Sequence, residues 1–314
     1  MRALLSVQEY DDAFKQMVVD ISPYCDIDVV DLENFSLNGY DIFIGKKLSS
    51  QKLKDANKLK CIFAYKTGVD DFPLKELKEK NITLVNSHAN SKVIAEYAFG
   101  LAMSLVNHIT KFDYDMRNDI WYDNSNLYWE SIFDKKIGLL GYGYIGKEIH
   151  KILLDSHIES YTIDRGNTYN NIGVVNNLKE LVQTCDVIIS SVPKVKETDN
   201  LFDKNIFELM ENKYLVNVGR ANVINEMDLY HALKNKKLKG AAIDTWNAKP
   251  KNKNEKFNPS QYDFKKLDNI IMSPHAAMRV KNGFECYLKD ISDNVISYVK
   301  HNKLRNVVCL DKGY

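Results

Sequence analysis

Short apolar runs alternate with amphipathic stretches along most of this chain. Short apolar runs are typical of strands buried in a sheet, and amphipathic stretches such as residues 74–80 are typical of the helices that cover it. This alternation predicts an α/β protein with parallel sheets. The predicted strands are residues 3–7, 27–30, 42–44, 61–64 and 82–85, and then 160–163, 187–191, 214–218, 240–244 and 269–273.

Two longer segments have helical periodicity. In residues 91–109 apolar side chains occur at helical spacing and on the other faces as well, which is typical of a helix buried on more than one side. We expect this helix to bridge two domains and to contribute to a subunit interface. A final helix is predicted over residues 282–302, followed by a strand-like segment at 307–310. Residues 247–261 form the only long irregular segment.

The composition excludes several classes of protein. With 314 residues the chain is long enough for two domains. Its formal net charge of +1 argues against nucleic acid or an anionic membrane as a principal partner, and no apolar stretch reaches membrane-spanning length. The five cysteines lack a C-x-x-C spacing, so we expect neither a disulfide framework nor a metal site. These cysteines, together with an N-terminal apolar run that is too short for a signal peptide, favour a soluble, cytoplasmic protein.

Residues 136–149 carry the pattern that is most informative about function. An apolar strand pattern leads into a G-x-G-x-x-G turn and then into the start of a helix. Gly141 permits a tight turn, Gly143 lets the backbone approach a pyrophosphate, and Gly146 lets the helix pack close to the sheet. The N–H groups around Tyr144 and Ile145 would face the phosphates. Glycine turns also occur in ordinary β–α loops and in methyl-donor enzymes, so the turn alone does not decide the ligand.

An acidic residue follows the next predicted strand. Asp164 lies 18 residues after Gly146, where a carboxylate accepts hydrogen bonds from the adenosine ribose and repels a 2′-phosphate. This position favours NAD over NADP. Two alternatives remain open: Asp164 is a solvated carboxylate in an Asp-Arg-Gly turn, or Arg165 turns inward and pairs with a 2′-phosphate.

Three later strands each end on a polar side chain. Arg220 follows residues 214–218, Asp244 ends the strand at 240–244, and His275 follows residues 269–273 on a proline-stiffened turn. Ligands of parallel sheets bind beyond the carboxyl ends of the strands, so we expect these side chains to face a ligand. The alternatives are that Arg220 pairs with Glu226 and that His275 is a surface or capping residue.

Taken in order along the chain, these segments resemble the D-isomer-specific 2-hydroxyacid dehydrogenases, the family of phosphoglycerate, glycerate and D-lactate dehydrogenases. The resemblance implies two doubly wound parallel-sheet domains. A Rossmann NAD-binding domain over residues 98–279 would be inserted in a discontinuous, flavodoxin-like substrate domain of residues 1–97 and 280–314. The resemblance also implies a homodimer that transfers a hydride between NAD and a small D-2-hydroxy acid. Further matching segments are Gly68-Val69-Asp70, residues 90–96, Val192-Pro193 and Pro274-His275.

The resemblance also assigns roles to individual residues. Arg220 would hold the carboxylate and carbonyl oxygens of a 2-keto acid, because its planar fork suits oxygen pairs. His275 would donate the proton in reduction and accept it in oxidation. The remaining assignments are substrate binding by Lys66, Thr67, Gly68 and Asn90, mainly through backbone N–H groups, and cofactor binding by Val192, Pro193, Val218 and Asp244 in addition to the glycine turn and Asp164.

The chain departs from the family at two positions. Members of the family carry a glutamate in Asp-Val-Phe-x-x-Glu-Pro that hydrogen-bonds the catalytic histidine, whereas this chain has Lys249 there. Either Glu255 or Asp263 replaces that glutamate, or the enzyme works with a less basic histidine, or catalysis is lost while binding persists. The last case predicts a dinucleotide-dependent regulatory protein. At the second position, Lys66 replaces a small residue; it either lies in solvent at the rim or meets a second anionic group.

Overall fold

The computed structural model describes residues 1–31, 34–121, 128–166, 168–252 and 255–314. Within these ranges the chain forms twelve strands and ten α-helices. The strands are β1 (Arg2–Val7), β2 (Asp26–Asp31), β3 (Ile42–Gly45), β4 (Cys61–Ala64), β5 (Thr83–Val85), β6 (Ile137–Leu140), β7 (Ser160–Ile163), β8 (Gly173–Val175), β9 (Val187–Ser190), β10 (Tyr214–Asn217), β11 (Gly240–Ile243) and β12 (Ile270–Met272). The helices are α1 (Asp12–Ile21), α2 (Ser50–Leu53), α3 (Leu74–Glu79), α4 (Ser91–Val106), α5 (Ile109–Arg117), α6 (Tyr144–Asp155), α7 (Leu178–Thr184), α8 (Lys204–Leu209), α9 (Glu226–Lys234) and α10 (Gly283–His301).

The chain divides into two compact units. Unit 1 consists of Met1–Asn90 and Val280–Tyr314, and unit 2 is the continuous segment Ser91–Arg279. Each unit contains one parallel sheet. Unit 1 is therefore discontinuous in sequence, and its C-terminal part contributes the long helix α10.

Unit 1 is built on a five-stranded sheet in the order β2-β1-β3-β4-β5. Every residue of β3 and β4 is buried, because helices cover both faces of the sheet. Phe14 of α1 and Ile291 of α10 pack in the cluster on one face. Leu53 of α2 and Leu77 of α3 pack in the cluster on the other. Burial on both faces explains why these strands read as continuous apolar runs.

Unit 2 is built on a seven-stranded sheet in the order β12-β11-β10-β9-β6-β7-β8. The apolar side of α4 and that of α6 pack on one face, and α7, α8 and α9 pack on the other. The strand order runs outward in opposite directions from the β6–β9 pair. Doubly wound sheets bind ligands at such a switch point, beyond the carboxyl ends of the strands.

The structure confirms the predicted α/β class and the two parallel sheets, and it corrects three details. The helix predicted over residues 91–109 ends at Val106, because His108 adopts a left-handed conformation (φ 53°) and α5 then starts in a new direction. The strand predicted at 307–310 is only a single antiparallel bridge between Val307 and Val85. Strand β8 at the sheet edge was not predicted.

Among the described residues, no single helix is long and apolar enough to cross a membrane. Only α4 and α5 taken together, bent by 62°, meet the length and composition of a span.

Candidate functional site

Six neighbouring strands of unit 2 end at the predicted site residues. The strands β12, β11, β10, β9, β6 and β7 are consecutive and parallel in the sheet, so their carboxyl ends lie along one edge. The sheet therefore brings together side chains that are more than 100 residues apart in sequence. In strand order, the residues at this edge are His275, Asp244, Val218 and Arg220, Val192 and Pro193, Gly141, and Asp164.

The glycine turn has the geometry that its spacing predicts. Gly141 has φ +101°, which strongly favours glycine. A Cβ on Gly146 would lie 2.1 Å from the Gly141 carbonyl oxygen, so α6 approaches the turn too closely for any side chain. A Cβ on Gly143 would meet no atom within 4 Å. The space beside Gly143 and the first N–H groups of α6, which begins with Tyr144 and Ile145, therefore fit a pyrophosphate.

A close approach between two strand ends forms the next part of the edge. A Cβ on Gly219 would lie 2.6 Å from the carbonyl oxygen of Val192, so the segment after β10 passes directly over the segment after β9. The Val218 N–H donates to the Ser190 carbonyl at 3.0 Å, which continues the ladder beyond the two strands. Val192 thus lies beside both the glycine turn and the segment of Val218 and Gly219, and Pro193 follows it in the chain.

Asp164 follows β7 directly and its side chain is exposed. Its N–H donates to the Val175 carbonyl at 2.8 Å, and its Oδ1 accepts a hydrogen bond from the Gly166 N–H at 2.8 Å. The Arg165 N–H donates to the Tyr169 hydroxyl at 2.7 Å. The carboxylate is therefore held at the strand end by its own turn while its side chain stays exposed to solvent.

The backbone of Arg220 is held by the buried amide of Asn217, a residue that the sequence pattern did not single out. The Asn217 side chain accepts from the Gly219 N–H at 3.2 Å and donates to the Arg220 carbonyl and to the Thr245 hydroxyl, both at 3.1 Å. The Arg220 guanidinium is half-buried and donates to the Gly219 carbonyl at 3.1 Å. The sequence does contain a sign of this role. Asn217 is a polar residue in the otherwise apolar strand β10, and a buried amide needs hydrogen-bond partners.

Asp244 is fully buried and organises the turn that carries His275. Its carboxylate accepts hydrogen bonds from the Ser273 hydroxyl and from the N–H groups of Ala276 (2.7 Å) and Ala277 (3.2 Å). Its backbone carbonyl accepts from the His275 N–H at 2.8 Å. His275 itself lies in the left-handed region at φ +56°. This conformation is uncommon for a residue with a side chain, and the hydrogen bonds to Asp244 hold the turn in it.

The surroundings of His275 oppose its protonated form. Burial lowers the pKa of His275, and the positive charge of Lys249 lowers it further. Asp244 raises this pKa, whereas Arg220 and Arg279 lower it. All four charged groups therefore act on the imidazole, and three of them are cations.

Neither carboxylate considered as a replacement for the family glutamate serves His275 in the described part of the chain. Glu255 accepts hydrogen bonds from the N–H groups of Lys251 (3.0 Å) and Asn252 (3.1 Å). Asp263 forms an ion pair with Lys266 at 2.6 Å. Within those residues no carboxylate is hydrogen-bonded to the imidazole. Neither Glu255 nor Asp263 therefore compensates for the positive charge that Lys249 places where the family has a glutamate.

The predicted substrate-binding residues lie in unit 1, and their side chains are engaged within it. Lys66 forms an ion pair with Asp71. The Thr67 hydroxyl lies 2.9 Å from both the Ser87 carbonyl and the Tyr287 hydroxyl. The buried Asn90 donates to the Gly283 carbonyl at 2.9 Å. These contacts stabilise the loop around Gly68.

No group of three or more His, Cys, Asp or Glu side chains is placed to hold a metal ion in the ranges that the structure describes. The candidates for chemistry at this edge are the polar side chains that follow β10 and β12, Arg220 and His275. Sequence reasoning also missed Ser273 and Tyr97, whose hydroxyls lie 2.8 Å apart. Nothing in the sequence pattern links these two residues, which are 176 positions apart.

Comparison with known proteins shows where unit 2 belongs. Residues 99–277 match the family model described as "D-isomer specific 2-hydroxyacid dehydrogenase, NAD binding domain". D-3-phosphoglycerate dehydrogenase of Haemophilus influenzae is 30% identical over 241 residues, which are 74% of this chain and 58% of that protein. A probable 2-ketogluconate reductase of Dictyostelium discoideum is 26% identical over 271 residues, which are 83% of this chain and 79% of that protein. The chain spans about half the length of several phosphoglycerate dehydrogenases that it matches.

A solved structure extends the similarity to both units. The PH0520 protein from Pyrococcus horikoshii superposes with a TM-score of 0.82 at 24% identity, over 98% of this chain and 95% of that one. At this identity the similarity establishes the fold. The match of the family model to more than half of the chain establishes more: the protein belongs to the D-isomer-specific 2-hydroxyacid dehydrogenase family.

Proposed function

We propose that the protein catalyses reversible hydride transfer between NAD and a small D-2-hydroxy acid or its 2-keto acid. The observation that carries this proposal is the edge of the unit 2 sheet. Arg220 and His275 follow strands β10 and β12, on either side of Asp244, and the glycine turn follows β6 in the same sheet. A guanidinium, a titratable imidazole and a dinucleotide-binding turn are the groups that this reaction needs.

When bound, NAD supplies or accepts the hydride. Arg220 binds the carboxylate and carbonyl oxygens of the keto acid and orients its carbonyl carbon. His275 donates a proton to the carbonyl oxygen as negative charge develops there, and takes the proton back in the reverse direction. Asp244 holds the turn of His275 and, by resemblance to the family, is proposed to contact the nicotinamide carboxamide together with the backbone at Val218.

Unit 1 is proposed to be the substrate domain and unit 2 the NAD-binding domain. By resemblance, the backbone N–H groups of Lys66, Thr67 and Gly68 bind the substrate carboxylate, with Asn90 nearby. The contacts of this loop support the assignment, because the Thr67 hydroxyl and the carbonyls of Lys66 and Thr67 hold the loop within unit 1 without using the backbone N–H group of Thr67.

The experiment that tests the function is NADH oxidation with a panel of 2-keto acids: glyoxylate, hydroxypyruvate, pyruvate and phosphohydroxypyruvate. Turnover of at least one supports the proposal, and a preference for phosphohydroxypyruvate over hydroxypyruvate would indicate that Lys66 meets a second anion. NADH binding without turnover of any of them would favour the regulatory alternative. The relatives support the enzymatic proposal, because they are named as dehydrogenases and reductases.

Cofactor preference should depend on Asp164. We expect NADH to bind more tightly than NADPH, because the exposed carboxylate repels a 2′-phosphate. Asp164→Ala should narrow the difference, as measured by titrating the quenching of protein fluorescence with each nucleotide. Asp199→Ala, at another exposed aspartate of unit 2, is the control and should leave the ratio unchanged. A wild-type preference for NADPH would show that Arg165 governs the pocket instead.

The pH dependence of reduction should depend on Lys249. The protonated form of His275 donates the proton, and burial and the charge of Lys249 lower its pKa, so keto-acid reduction should decline as pH rises through this lowered value. Lys249→Glu should raise the pKa and extend activity to higher pH. The measurement is kcat/KM against pH for both proteins.

Lys251→Glu is the matched control for this experiment, because it makes the same charge change at an exposed position of the same loop. Its profile should move much less than that of Lys249→Glu. Equal movement of both profiles, or none in either, would mean that residue 249 does not act on His275.

We further propose that the protein is a homodimer. The observation that supports this is an exposed apolar groove of about 400 Å³ on unit 2, which we call the aromatic groove. Trp129 and Phe133 in it are 57% and 64% exposed, and apolar patches of this kind mark interaction surfaces. Sedimentation equilibrium measures the mass directly. The residues that line the groove are Met103, Asn107, Ile109, Phe112, Trp129, Ser131, Ile132 and Phe133.

A cytoplasmic location is proposed on the state of the cysteines. All five are free thiols, and Cys25, Cys61 and Cys185 are buried. Free thiols are typical of proteins in a reducing compartment. Fractionation of cells that express the protein at its natural level tests the location.

A further inference from the structure

A chain of hydroxyl groups connects helix α4 to the carboxylate of Asp244. The hydroxyl of Tyr97 on α4 lies 2.8 Å from the Ser273 hydroxyl, and the Ser273 hydroxyl is hydrogen-bonded to Asp244 Oδ1. Ser273 and Asp244 are buried, and all three residues belong to unit 2. The hydrogen bond between Ser273 and Asp244 is therefore shielded from water, and Tyr97 is half-buried.

The direction of the hydrogen bonds follows from the donors available. A carboxylate has no proton to donate, so Ser273 donates to Asp244. The single hydroxyl proton of Ser273 is then used, so Tyr97 donates to Ser273. Phenylalanine at position 97 would leave the Ser273 oxygen without its donor in a buried site, which weakens a network whose members polarise one another.

This series of hydrogen bonds ends at the turn that carries His275. The Asp244 carboxylate also accepts from the N–H groups of Ala276 and Ala277, and Trp246 donates from Nε1 to the Ser273 carbonyl at 3.0 Å. These contacts lie on both sides of His275, whose left-handed backbone (φ +56°) is unfavourable by itself. The orientation of the imidazole thus depends on contacts that Tyr97 and Ser273 complete.

We propose that Tyr97 and Ser273 are positioning residues that hold the His275 imidazole in place through Asp244. The proposal rests on the proposed function, because it assigns His275 the role of proton donor. Tyr97 and Ser273 are not assigned to substrate or cofactor; they act on the reaction through Asp244 and the turn of residues 273–277.

The first arm of the test observes His275 without any substrate. Protein labelled at the histidine Cε1 carbon gives one NMR signal per histidine, and the signal lost in His275→Asn is that of His275. We expect Tyr97→Phe and Ser273→Ala to shift this signal, and Ser273→Thr, which keeps the hydroxyl, to leave it close to the wild-type position. Tyr214→Phe is the matched control, because it removes a hydroxyl that is bonded to Glu130 elsewhere in unit 2.

The second arm measures turnover of the keto acid. Tyr97→Phe and Ser273→Ala should each lower kcat by about tenfold, a fraction of the roughly 10²- to 10⁴-fold that a positioned proton donor supplies. The Tyr214→Phe control should retain its kcat and its affinity for NADH. Ser273→Thr should restore most of the turnover.

The two arms separate the possible failures. An unmoved His275 signal in both Tyr97→Phe and Ser273→Ala, or an equal shift in Tyr214→Phe, would overturn the positioning role whatever the activity. A wild type that turns over none of the keto acids would overturn the proposed function, while the NMR arm would still decide whether the hydroxyl chain positions the imidazole.

Discussion

Replacing Arg220 with alanine should abolish turnover while leaving NADH binding nearly intact. The proposed partner of the guanidinium is the keto acid, and truncating one member of a desolvated charge pair costs on the order of 10³-fold in binding or rate. Steady-state kcat/KM for the keto acid and a fluorescence titration with NADH give the two quantities. Arg220 lies at the carboxyl end of β10, where Asn217 fixes its backbone.

Arg220→Lys is the companion variant, because lysine keeps the charge but not the planar fork of donors. We expect it to recover only a small part of the lost activity. Full activity in Arg220→Ala would remove Arg220 from the substrate site. Loss of NADH affinity together with turnover would assign the arginine to the cofactor or to the stability of the strand end instead.

Removing the imidazole of His275 should lower turnover by about 10²- to 10⁴-fold, the range for a positioned general acid. The structure favours asparagine as the replacement, because His275 has φ +56° and asparagine tolerates the left-handed region better than alanine. His275→Asn should therefore keep the turn and lose the proton donor. The measurements are kcat for the keto acid and the thermal midpoint of unfolding.

His157→Asn is the matched control for this substitution. His157 also lies in unit 2 with a left-handed backbone (φ 57°), but it is exposed and follows the C-terminus of α6, not a strand end. Its replacement should leave kcat unchanged. Undiminished turnover in His275→Asn would mean that another group supplies the proton.

The strands of both sheets could be predicted from the sequence, because a strand buried on both faces is apolar throughout. Strands β3, β4, β6, β9, β10 and β11 are buried at every position, and each coincides with an apolar run. Strand β8 was missed because it is a short edge strand of three residues with little burial. The helix break at His108 was missed because no proline or glycine marks it.

The candidate site residues could likewise be identified from the sequence, because the end of a strand can be located without knowing which strands are its neighbours. The glycine turn, Asp164, Arg220, Asp244 and His275 were each recognised locally. Their meeting at one edge was decided by the strand order β12-β11-β10-β9-β6-β7-β8, which is a property of the whole sheet.

The sequence by itself determined the fold class, the family resemblance and the departure at Lys249, since each depends on which residue occupies a position. The tertiary structure alone decided the partners of buried polar groups, because hydrogen bonds of Asn217, Ser273 and Tyr97 join residues from different strands and helices. It also decided that Glu255 and Asp263 are engaged elsewhere. In the sequence, a carboxylate in a loop can be paired with any cationic group that is near it in the chain. Only the distances in the folded structure show which group it contacts.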